Sequence, residues 1–217
     1  MKKFAIGCAI VLVVLLVVGG IAGYFVYQKF VGPIAKFATS MQQVATIEKD
    51  VKNTSSFKAP ENGELTEEMV SRFIKVQEHI QAKLGTRMDE LKATYDKLDK
   101  TLDAEKRKAS FTEAMGALGD LASLLVDAKK AQVEGLNQAD YSVSEYEWVR
   151  NQVYAAVGVV AGGFDVKRLA EQAKAGNVQF SPGEKESLPD VPEKNKALVA
   201  PYEKQLKEWA PLAFFGF

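Results

Sequence analysis

The sequence predicts an all-α protein: a single N-terminal transmembrane helix followed by a soluble bundle of five or six helices, one of them long. Three observations carry that prediction. No residue from Phe4 to Gln28 is charged. Beyond that run, apolar residues return at three- and four-residue steps through most of the chain, as the buried stripe of a helix does. No segment shows the sustained period-two alternation of a half-buried strand.

The uncharged run is roughly 25 residues, where about 20 helical residues span the hydrocarbon core. Its centre, from Ala9 to Val18, is uniformly apolar. A helix satisfies every backbone group internally, which hydrocarbon demands. Tyr24, Phe25, Tyr27 and Phe30 form an interfacial aromatic belt, and Lys29 marks the exit to water. Lys2 and Lys3 favour a cytoplasmic N-terminus with the remaining chain outside; Lys29 and Lys36 weaken that bias without reversing it. The alternative is a cleaved secretory signal, for which Gly20-Ile21-Ala22 is a passable site. The apolar run is long for a signal and continues past that site into the aromatic belt. Cys8 has too few residues before it for a lipoprotein signal. Gly19 and Gly23 make a Gly-x-x-x-Gly pair, a flat face that a neighbouring membrane helix can approach closely. Glycine is also simply frequent in such helices.

Residues 1–30 are therefore assigned to the anchor, 31–64 to a juxtamembrane helix and loop, and 65–217 to the bundle. Pro33 opens the juxtamembrane helix, whose apolar face runs Ile34, Phe37, Met41, Val44, Ile47 and Val51. Asn53 to Gly63, rich in Ser, Pro, Asn and Gly, is a loop. Thr66 caps the next helix, with Glu67 and Glu68 where the helix dipole favours carboxylates. Ile80, Leu84, Met88, Leu91, Tyr95, Leu98 and Leu102 continue it as a near-heptad seam, which Gly85 either interrupts or joins. Ser110 and Glu113 form a capping box for a helix bearing Met115, Leu118, Leu121, Leu124 and Leu125, and Gly135 to Asp140 reads as a turn. Ser142 and Glu145 form a second box, opening a helix through Trp148, Val149, Val153, Val157 and Val160 that Gly162-Gly163 ends. Asp165 caps a short helix stopping at Gly176, and residues 177–192 are a loop. A last helix runs from about Glu193 to Trp209, bent at Pro201.

Composition narrows the function classes. The chain has 217 residues, enough for one domain plus an anchor, with 28 basic and 28 acidic residues. That balance, without a basic stripe, argues against nucleic acid as a partner. Lys97, Lys100, Lys106, Arg107 and Lys108 are interleaved with Asp96, Asp99, Asp103 and Glu105 and read as a solvated face of weak field. The only cysteine is Cys8 in the apolar run, so the soluble part has no disulfide and no thiolate metal site. The only histidine, His79, follows Glu78 but lacks the second histidine of a zinc helix. No nucleophile elbow, phosphate loop or dinucleotide fingerprint is present. No catalytic residue, cofactor or metal ligand is assigned.

The C-terminal stretch from Trp209 to Phe217 is uncharged and aromatic. Such an end needs burial. Either it folds back onto its own bundle, or Trp209, Leu212, Phe214, Phe215 and Phe217 are contacts for a partner or the membrane interface. Three stretches, Leu65 to Phe73, Ser144 to Val149, and Val191 to Tyr202, resemble patterns in uncharacterised bacterial envelope proteins. The resemblance implies an envelope location and no known activity, and transfers no site residue. The expected function is a non-enzymatic accessory or scaffold subunit of a membrane complex in a bacterial inner membrane. The alternative is an anchored periplasmic module binding a lipid or other apolar ligand.

Overall fold

A computed structural model describes residues 39–103 except Met41 and Ala45, residues 111–162 and residues 190–217. All regular structure there is helical: α1 (Glu67–Leu84), α2 (Arg87–Asp103), α3 (Phe111–Gln138), α4 (Val143–Ala156), α5 (Glu193–Val199), α6 (Glu203–Glu208) and α7 (Ala210–Phe214). Short 3-10 turns lie at Glu48–Asp50 and Ala200–Tyr202. The all-α expectation holds for these residues. The anchor, the Ser110 cap and the short helix expected at Asp165 lie outside them.

Helix α1 begins where Thr66 accepts a hydrogen bond from the Met69 N–H, as its position before two glutamates predicts. It buries Val70, Phe73, Ile74, Val76, Gln77, Ile80 and Leu84. The predicted long helix breaks at Gly85, which adopts φ 51°, ψ −126°, a conformation that a Cβ strongly disfavours. The break leaves the direction of travel intact. Val76 lies against Gly135, His79 and Lys83 reach Glu134, and Arg87 reaches Asp127 and Ser123. Rising numbers on α1 and α2 meet falling numbers on α3, so α1 and α2 together form one antiparallel partner for the 28-residue α3.

Gly135 lies inside α3, not in the predicted turn. A Cβ there would stand 3.1 Å from Val76 Cγ1, so glycine permits the close approach of α1. The helix ends three residues later at Gln138, and Asp140 takes the left-handed conformation, φ 53°, that turns the chain into α4.

Helix α4 also departs from the prediction. It ends at Ala156, short of Gly162, because Gly158 takes φ 74° and turns the chain. Only half of the predicted capping box forms. Ser142 Oγ accepts from the Glu145 N–H, but the Glu145 carboxylate turns away to the Arg72 guanidinium, a charge-assisted partner stronger than a backbone amide. The expected last helix is bent at Pro201 and broken again at Trp209, giving α5, α6 and α7. The core gathers α1, α3, α4 and the C-terminal helices around Phe73, Tyr146, Tyr154 and Trp209.

Candidate functional site

Three places fasten this bundle, and they hold most of its buried polar chemistry. The first is the segment leading into α1. Glu48 pairs with Lys129. The Asn137 side chain accepts from the Lys52 N–H at 2.8 Å and donates to the Asp50 carbonyl at 3.1 Å. Asn53 donates to the Asp140 carbonyl at 2.8 Å, and Phe57 stacks on Trp148 with ring centroids 5.5 Å apart. Asn195, fully buried, accepts from the Leu65 N–H at 2.7 Å and donates to the Gly63 carbonyl at 2.9 Å. Val51 and Leu65 are buried at either end of this strap. The chain ahead of α1 is therefore built onto the bundle from Glu48 onward.

The second place is the turn between α3 and α4. Arg72 Nε donates to the Ala139 carbonyl and Nη2 to the Asp140 carbonyl, each at 2.9 Å. Nη1 donates to Glu145 Oε1 at 2.8 Å, and the guanidinium carbon lies 3.9 Å from the Tyr141 ring centroid. One planar cation thus closes α3, fixes the first turn of α4 and covers an aromatic face. Arg72→Ala is expected to lower unfolding free energy by about 2 kcal/mol, and Arg72→Lys should recover less than half, because a point ammonium cannot replace the fork. Urea denaturation of the three proteins checks it; full recovery by lysine would refute the role of the fork.

The third place is the interior between α1, α4 and the C-terminal segment. Gln77, fully buried, donates to the Tyr146 hydroxyl at 2.6 Å and accepts from the Tyr154 hydroxyl at 3.1 Å. Phe73 packs on both rings, at 5.6 Å and 5.7 Å between centroids. Arg150 donates to the Gly216 carbonyl, and Gln132 Nε2 lies 3.4 Å from the same oxygen. Among the described residues no buried side-chain polar atom lacks a partner. That is what a folded interior requires, since each orphaned group costs about 1–3 kcal/mol.

Burial pushes the Tyr146 phenol up to about 12 and raises those of Tyr141 and Tyr154 well above the ordinary tyrosine range. Their neutral forms are favoured in the folded state, so their contribution is complete below the ordinary tyrosine value near 10. Above it the unfolded chain loses phenolic protons first. Unfolding free energy is expected to fall between pH 10 and 12 with a limiting slope of about 4 kcal/mol per pH unit for three such groups. Constant stability over that window would contradict the burial of these phenols. On the surface, hydrogen bonds from Lys83 and His79 hold the Glu134 carboxyl below its usual range. That small contribution is present above the unfolded carboxylate value and fades as pH falls through the lowered one.

Trp209, Leu212, Phe215 and Phe217 lie in this interior, at most 5% exposed, and Phe214 is half-buried against Phe215. The tail folds back onto its own bundle, and four of the five residues named as partner contacts are enclosed. Gly19 and Gly23 lie outside the described residues. The sequence assigns no role to Asn195, Arg72, Arg150 or Gln77. Gln77 alone carries a signal, a polar residue at an apolar register position between Phe73 and Ile80.

Among the described residues no helix is long and apolar enough to cross a membrane, and no group of three or more His, Cys, Asp or Glu could hold a metal ion. No protein-family model, curated protein or solved structure matches the chain.

Proposed function

We propose that the chain is a membrane-anchored, non-enzymatic accessory or scaffold subunit of a larger membrane complex. It sits in a bacterial inner membrane, its N-terminus cytoplasmic and its bundle periplasmic. The observation that carries this reading is the uncharged run from Phe4 to Gln28 behind Lys2 and Lys3. A run of that length and composition partitions into hydrocarbon as a helix. The use of the buried and half-buried polar side chains supports it further. Gln77, Asn195, Arg72 and Arg150 spend their hydrogen bonds on neighbouring elements of the same chain. Such bonds build a rigid spacer on an anchor.

In this reading the anchor supplies a contact face at Gly19 and Gly23. Gly19→Leu and Gly23→Leu are expected to reduce recovery of co-purifying membrane proteins at least several-fold, since added side chains separate the backbones. Val13→Leu should change little, and insertion should persist in all three because leucine is favourable in the bilayer. The measurement is purification in mild detergent followed by mass spectrometry. Stoichiometric partner proteins support the reading. A bound lipid with no partner protein replaces it with the ligand-binding module, and equal recovery from all variants removes the two glycines from the contact.

A further inference from the structure

The chain has six asparagines, and one of them, Asn62, precedes a glycine. Asparagine is thermolabile because its side-chain amide lies within reach of the next main-chain nitrogen. Attack of that nitrogen on Cγ closes a five-membered imide and expels the side-chain nitrogen as ammonia. A side chain on the following residue hinders the attack, and glycine has none.

The structure separates Asn62 from the other described asparagines. Asn137, Asn151 and Asn195 lie within α3, α4 and α5, whose main-chain N–H groups are committed to the helix ladder. Asn53 Oδ1 accepts from the Ser55 N–H at 3.0 Å, and Asn62 Oδ1 accepts from the Glu64 N–H at 3.1 Å, so both sit in the same kind of local turn. The difference is the following residue, branched Thr54 against Gly63. The Glu64 N–H also meets the oxygen on which negative charge grows during the attack, as an oxyanion donor does. One contact opposes the reaction. The Gly63 N–H donates to the Pro60 carbonyl at 2.9 Å and keeps the attacking nitrogen occupied. That bond closes a turn whose two central residues, Glu61 and Asn62, are exposed, and such tips open readily.

We propose that Asn62-Gly63 is a site of intramolecular deamidation, and that its isoaspartyl product loosens the end of the strap ahead of α1. Gly63 N bonds to Asn62 Cγ, and its proton leaves with Nδ2 as ammonia. Water then opens the imide. Breaking the bond from Gly63 N to Cγ yields aspartate. Breaking its bond to the original main-chain carbonyl yields isoaspartate, with one more methylene in the main chain. The chemistry needs only this turn and water. The lengthened chain cannot keep the Pro60–Gly63 turn, which sets the Gly63 φ of 67° and aims its carbonyl at Asn195. Asn195, fully buried, grips that carbonyl at 2.9 Å and the Leu65 N–H at 2.7 Å. Losing the carbonyl leaves a buried amide short of a partner, which shifts the local equilibrium toward the detached strap.

The test uses the full chain, purified in mild detergent and incubated in mildly alkaline buffer. Peptide mapping and methylation by an isoaspartyl methyltransferase follow each asparagine over time. Conversion at Asn62 is expected to exceed that at Asn53 several-fold, and Asn62→Gln, which would have to close a six-membered ring, should remain unmodified at that position. Anion exchange then isolates the converted protein. Hydrogen exchange at the Leu65 amide is expected to run several-fold faster there than in the unconverted fraction. Freshly purified Asn62→Asp carries the new charge on an unlengthened chain and should exchange as wild type does. Absence of isoaspartate at position 62, or equal conversion at Asn53, overturns the site. Unchanged exchange at Leu65 after conversion, or equal acceleration in Asn62→Asp, overturns release by the lengthened chain.

Discussion

Gln77→Leu is expected to lower unfolding free energy by about 2–4 kcal/mol, although leucine matches glutamine in size and is better suited to an apolar interior. The reason is the pair of phenols left behind. Gln77 serves as acceptor for Tyr154 and donor to Tyr146, both inaccessible to water. After the change Tyr154 keeps only a 3.5 Å contact to the Trp209 carbonyl. A buried polar group stripped of its partner costs the full desolvation penalty, whereas removing both partners together can be nearly neutral. Adding Tyr154→Phe to Gln77→Leu should therefore recover about half of the loss. Urea denaturation followed by tryptophan fluorescence, from Trp148 and Trp209, measures both. A single variant as stable as wild type, or a double variant less stable than the single, would show that the amide does not organise this interior.

Trp209→Ala should cost about 3–5 kcal/mol, the range for emptying a large, fully buried aromatic site. Deleting Leu212 to Phe217 should abolish cooperative unfolding. It removes the buried Leu212, Ala213, Phe215 and Phe217 and leaves Arg150 and Gln132 without the Gly216 carbonyl. This bears on how partner-binding experiments are read. Lost co-purification after truncation of the tail would follow from unfolding alone. The informative change is Phe214→Ala, at the half-buried position, which should leave the fold intact. Cooperative unfolding of the truncated chain with an unchanged midpoint would contradict the fold-back assignment.

Local signals were legible in the sequence where one residue decides the outcome. Thr66 caps α1 and Ser142 caps α4 because a short side-chain oxygen ahead of an apolar run has few other uses. Pro201 bends the C-terminal helix because it lacks an N–H. What the sequence concealed depends on distant partners. Glu145 leaves its capping box for Arg72, 73 residues away in sequence. Gly135 stays helical because Val76 packs against it, a tertiary contact that overrides a weak local preference. Asn53 to Gly63 reads as a loop from its Asn, Ser and Pro content, and the structure makes it part of a strap fastened to the bundle. Its attachment runs through Asn137 and Asn195, whose partners no periodicity reveals. For the candidate site, the apolar tail was visible as a segment needing burial, but the choice between self and partner required the core that receives it.

The central claim, an anchored domain on the far side of the inner membrane, is tested most directly by single-cysteine labelling. Ser55 is exposed on the strap, and with Cys8→Ser the variant Ser55→Cys carries the only thiol of the chain. Spheroplasts are treated with a membrane-impermeant maleimide, lysed, and the membranes washed with alkaline carbonate. The account predicts full labelling before lysis, with the labelled chain retained in the membrane pellet. Labelling only after lysis, or release of the chain into the carbonate wash, would contradict it.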